Sequence, residues 1–140
     1  IALDAHYANE YADARADETF VAHYEAFERI NSRLKALITD WQTVELGGQR
    51  IANDHQDHEH DFALIDRLCG LHDRVDDILV RLAQAVPRID NYRSRLQEAL
   101  EKIDAGAIQW VSDANIDSYH TVWFQLHEDL LRIVGRQRTE

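Results

Sequence analysis

The chain has 140 residues, 45% of them apolar, which is enough for one domain with a hydrophobic core and argues against disorder. Twenty-six acidic residues against fifteen basic ones leave a formal charge of -11, the wrong sign for a groove that must neutralise phosphates or an anionic membrane. Direct nucleic-acid contact and membrane association are therefore not expected.

No apolar run approaches the roughly 18 residues that span a bilayer, and the N-terminus lacks the basic-then-apolar order of a signal peptide. A soluble, cytoplasmic protein is expected. The single cysteine, Cys69, rules out a disulfide within the chain. The chain opens on Ile1 and contains no methionine, so a fragment of a longer protein is expected.

Five glycines and one proline are poor punctuation for a sandwich of short strands, and the architecture expected is helical. Residues 1–16 read as an N-terminal segment able to form a short helix with Leu3, Tyr7 and Tyr11 on one side. From Phe20 to Trp41 apolar residues recur at threes and fours, predicting a helix over 17–42 with Asp17 and Glu18 at its favourable N-terminal end. Residues 43–61 lose that periodicity, contain Gly47-Gly48 and read as a long polar loop.

A second helix is predicted over 61–86, carrying Leu68, His72, Val75, Leu79 and Leu82, and ending at Pro87. A third restarts at once over 88–105, with Gly106 as its stop. Residues 107–116 form a connector that holds Trp110 and Val111 against the core. The fourth helix, over 118–134, begins at an Asp117 or Ser118 cap and ends at Gly135. Four amphipathic helices with mostly short connections predict an all-α, mostly antiparallel four-helix bundle spanning residues 17–140.

Candidate chemistry concentrates in two places. Asp54 to Asp61 hold three imidazoles and four carboxylates, and His55, His58 and Glu59 would share a face suited to a divalent metal if the segment opened the second helix. The plainer reading is a solvated acidic loop. Di-iron bundle chemistry needs Glu-x-x-His pairs on two helices, and that constellation is absent. Cys69 reads as a small buried hydrophobe.

His72 interrupts an aliphatic stripe, so it is expected to be at least half buried and either satisfied by a core partner or in contact with a ligand. On the fourth helix, Trp123 belongs to the core stripe, whereas His120, Phe124, His127 and Leu131 form a second one that needs its own partner. Trp41 and Tyr119 are expected to meet near one bundle end. These residues, Trp41, His72, Tyr119, His120, Phe124 and His127, are the candidate ligand-binding or interface set.

The segments Thr39-Asp40-Trp41-Gln42 and Asp117 to Leu130 (DSYHTVWFQLHEDL) resemble a family of actinobacterial helical proteins labelled as related to phosphoenolpyruvate-utilising enzymes. The resemblance covers the helical region only. It implies a domain that follows a small winged-helix-like segment and works in regulation, and it carries over no catalytic residues. The expectation is thus a non-enzymatic helical domain for self-association, as a homodimer, or for regulation by a small-molecule ligand. The alternative is a metal-dependent or small-molecule enzyme built on the histidines.

Overall fold

The computed structural model describes residues 11–136. Helices occupy 74% of the described chain, which places it in the all-α class. The elements in order are α1 (Ala12–Ala16), α2 (Glu18–Gln42), β1 (Thr43–Leu46), β2 (Gln49–Ala52), α3 (His58–Ala85), α4 (Ile89–Asp104), a 3-10 turn (Ile108–Trp110) and α5 (Tyr119–Val134). Leu3 and Tyr7 of the expected N-terminal helix lie outside the described residues. No helix among the described residues is long and apolar enough to cross a membrane.

The helix ends follow local chemistry. Asp17 caps α2 by accepting from the Thr19 and Phe20 amides, and Asp57 caps α3 by accepting from that of His60. Ser118 is the cap of α5, accepting from the Thr121 amide at 3.3 Å. Gly135 ends α5 in the left-handed region at φ 73, where a side chain would be strained.

The expected loop at 43–61 is in large part ordered differently. Thr43–Leu46 and Gln49–Ala52 form an antiparallel hairpin with Val44 opposite Ile51 and Glu45 opposite Arg50. Gly47 and Gly48 both hold positive φ, 60 and 79, as a two-residue hairpin turn of this twist requires. The last four residues of the span expected as loop, His58 to Asp61, already belong to α3.

Polar contacts join the helices where packing brings them together. Across the hairpin, Asp40 near the end of α2 meets Arg67 near the start of α3, while Phe20 and Arg81 border one cleft at the other end. Asp76 of α3 pairs with Arg93 of α4 through two contacts of 2.9 and 3.1 Å. Arg88 grips the buried Asp129 carboxylate of α5 with two donors, and Tyr92 donates to the same group at 2.9 Å. Arg15 of α1 donates to the Ile133 carbonyl, docking the short helix on the end of α5.

Inside this frame Phe27, Leu34, Leu68, Val75, Leu79, Leu96, Leu126 and Leu130 are buried in one continuous core. Val111 is buried with them and Trp110 packs on the edge, as the connector reading expected. Burial of this apolar surface is what holds the helices together, since isolated helices are marginal in water.

Candidate functional site

A cleft beside the candidate residues lies between α2 and α5. It measures about 340 Å³ and is bordered by Asn31, Leu34 and Lys35 from α2 and by His120, Trp123, Phe124 and His127 from α5. Three of the candidate residues, His120, Phe124 and His127, therefore share one cavity. Their spacing at fours and threes puts them on one side of the helix, and α2 supplies the facing wall.

A polar lattice forms the cavity floor. Trp123 Nε1 donates to Asn31 Oδ1 at 2.9 Å, and Asn31 Nδ2 reaches Glu28 Oε1 at 3.4 Å. His127 Nε2 lies 3.0 and 3.1 Å from the two Glu28 oxygens, and the Tyr24 hydroxyl donates to Oε2 of the same carboxylate. Glu28 is thus the hub of a tyrosine, carboxylate and imidazole chain across the α2 to α5 contact. Burial, reinforced by Glu28, pushes the Tyr24 hydroxyl far above its ordinary range, so it remains a donor. Stacking of Phe27 on Trp123 at 4.8 Å closes the apolar side.

The second stripe expected on this helix is split by the structure. Phe124 is 52% exposed, whereas His127 at 3% and Leu131 at 4% are intrachain core. The reason lies in the neighbours: Glu28 of α2 covers His127, and α1 docks at the end of α5. His120 sits between these extremes, and burial pushes its pKa below the ordinary 6.5. It therefore presents a neutral imidazole to the cavity, with one donor and one acceptor nitrogen.

His72 is buried and fully paired. Its Nε2 lies 3.0 Å from Gln97 Oε1 and its Nδ1 2.9 Å from the Tyr119 hydroxyl. Gln97 Nε2 donates to Glu101, which orients the amide oxygen toward the imidazole. The oxygen can only accept, so Nε2 carries a proton, and the Tyr119 hydroxyl completes the set by donating to Nδ1. This is a structural core histidine. Tyr119 also lies near the Trp123 ring at 6.0 Å.

Trp41 belongs to a different cluster. The expected meeting of Trp41 and Tyr119 does not occur: Trp41 packs against the His55 ring at 4.6 Å, while Tyr119 packs against His72 and Trp123. The tertiary reason is that Tyr119 faces α3, whereas Trp41 is covered by the segment that follows the hairpin.

That segment acts as a clasp. Asn53 Nδ2 donates to the Trp41 carbonyl at 2.8 Å and to Asp61 Oδ1 at 3.1 Å, and the His55 amide donates back to Asn53 Oδ1. His55 Nδ1 lies 2.9 Å from Asp61 Oδ2, and His60 Nε2 donates to the Asp40 carbonyl at 3.1 Å. His55 precedes the Asp57 cap and holds φ 59, so it does not share a helical face with His58 and Glu59. Among the described residues no group of three or more His, Cys, Asp and Glu is placed to hold a metal ion. The expected ligand set His55, His58 and Glu59 is not assembled because the helix starts after its first member. Burial raises the Cys69 thiol above its ordinary pKa, against a reactive thiolate.

Glu28 and Asn31 are not among the candidates the sequence offers, and Asp61 stands there only as one carboxylate of the acidic segment, not as a buried partner. A signal existed: Asn31 falls between Phe27 and Leu34, and Asp61 precedes Leu64 and Leu68, at positions where the helix period places core residues. A polar residue at such a position needs a buried partner. Comparison with protein-family models, curated proteins and solved structures finds no match to this chain. The functional reading therefore rests on geometry.

Proposed function

We propose that the chain is a non-enzymatic helical domain whose α2 to α5 cavity binds a small planar molecule and thereby regulates a linked activity. The observation that supports this is the convergence of the exposed Phe124 ring and the neutral His120 imidazole on a half-enclosed, mainly apolar cleft of about 340 Å³. Pockets between bundle helices that combine an aromatic wall with few polar groups suit such ligands. Phe124 would lie along one face of the ring system, and His120 would donate or accept one hydrogen bond at its edge.

Because the cavity walls come from two helices, a ligand stabilises the arrangement in which α2 and α5 are closed on each other. Indole and benzimidazole are suitable probes. A saturating probe should raise the unfolding midpoint by mass action, and Phe124→Ala together with His120→Ala should abolish that rise while the fold persists. No rise with either probe, or an equal rise in the double variant, would remove the cavity from consideration.

A further inference from the structure

Two contacts fix how α2 and α5 pass each other. His127 of α5 meets Glu28 of α2, and Trp123, one turn earlier on α5, meets Asn31, one turn further along α2. The two helices therefore run antiparallel where they border the cavity. Continued by one more turn, this register sets His120 level with Leu34 and Lys35, and all three border the cavity. Phe124 stands one turn from His120 along α5, about 6 Å by helix rise. The cavity thus has three levels: His127 over Glu28 at one end, the Phe124 and Trp123 rings in the middle, and Lys35 with His120 at the other end.

The first end is committed to the α2 to α5 contact. The Glu28 carboxylate accepts from Tyr24, Asn31 and His127, and the Asn31 oxygen accepts from Trp123. The opposite end differs. Among the described residues the His120 side chain makes no hydrogen bond or ion pair, and it is partly exposed. Burial favours its neutral form, which offers one N–H. Lys35 is exposed, and it is the one lysine or arginine among the residues that border the cavity.

An ammonium and an N–H at one level suit a carboxylate, because charge-assisted hydrogen bonds are stronger than neutral ones. One cation matches a monoanion, whereas a dianion would bring a second negative charge toward Glu28. The formal charge of -11 makes general attraction of anions to this chain unfavourable, so an acid held here is held by local groups.

We propose that the ligand of the α2 to α5 cavity is an aromatic acid, its ring on Phe124 and its carboxylate, about one helical turn away, between the Lys35 ammonium and a His120 N–H. This rests on the cavity reading given above and adds the charge and the direction of the ligand. A neutral ring would fill the middle level alone.

Titration calorimetry with indole-3-acetate, indole-3-acetamide and indole at about 20 mM NaCl tests this. The three probes share a ring, and the acid and the amide share their shape but not their charge. The acid should bind about tenfold or more tightly than the amide, with the preference shrinking as NaCl rises to about 0.5 M. Lys35→Gln should remove the preference and leave the affinity for the amide unchanged, with thermal melts showing the fold intact. Phe124→Ala should weaken all three probes. Binding of indole or the amide without preference for the acid, or a preference that survives Lys35→Gln, would overturn this inference and leave the cavity reading standing. Acid binding that Phe124→Ala leaves untouched would place the acid elsewhere and overturn it too. No binding of any probe would remove both readings.

Discussion

At the scale of single residues, the histidines divide by what they touch. His72 has both nitrogens occupied, by the buried Tyr119 hydroxyl and by the amide oxygen of the exposed Gln97. Its replacement by Leu strands the buried Tyr119 hydroxyl, while the exposed Gln97 can turn to water, and a loss of about 1–3 kcal/mol is expected for the one unmet buried polar group. Urea unfolding measures this; a loss of about 0.5 kcal/mol or less would show that water replaces the imidazole. His120 provides a different readout. Its folded-state pKa is depressed by burial, so the folded protein prefers the neutral ring. That contribution is complete above the unfolded value of 6.5 and is lost as pH falls below it toward the folded value. Unfolding midpoints from pH 7.5 to 5 should fall less in His120→Gln than in the parent, and parallel profiles would remove His120 from the titration.

At the scale of elements, α5 has two faces of unequal importance. Trp123 is 3% exposed, stacks on Phe27 and donates to Asn31, whereas Phe124 next to it is 52% exposed. Trp123→Ala should cost about 3–5 kcal/mol, and Phe124→Ala less than about 1 kcal/mol, in chemical unfolding. Equal losses would make Phe124 part of the core and leave no aromatic wall for a ligand. The hairpin shows how a weak element is held. Two strands alone are marginal in water, and here Asn53 and His55 bind the end of β2 to Trp41 and to Asp61. The histidine-rich segment serves this attachment, which explains why its residue types suggest metal while its geometry does not form a metal site.

At the scale of the whole molecule, charge acts in two opposed ways. A formal charge of -11 strains any compact state through self-repulsion. Added salt should therefore raise the unfolding midpoint by screening that repulsion. Thermal melts across a NaCl series from about 20 mM to about 0.5 M measure this. A midpoint that falls with salt would mean that local pairs such as Arg93 with Asp76, and not net charge, dominate.

Helix periodicity, capping residues and proline are local properties, and they were legible in the chain itself. The helices expected at 17–42, 88–105 and 118–134 appear as Glu18–Gln42, Ile89–Asp104 and Tyr119–Val134, and Ser118 and Gly135 end α5 where their chemistry requires. The burial of His72 was legible too, because one polar residue broke an apolar stripe. The hairpin was missed although Gly47-Gly48 signals a two-residue turn, since four-residue strands are too short to show a period of two. Partnerships across elements were not legible at all. That Glu28 would face His127, ninety-nine residues away, or that Trp41 would meet His55 and not Tyr119, depends on how the helices rotate against one another when their apolar faces are buried. Sequence spacing determines which side of a helix a residue occupies; only the packed tertiary structure decides what that side meets, because burial is non-directional and the polar contacts form wherever packing brings their partners within reach.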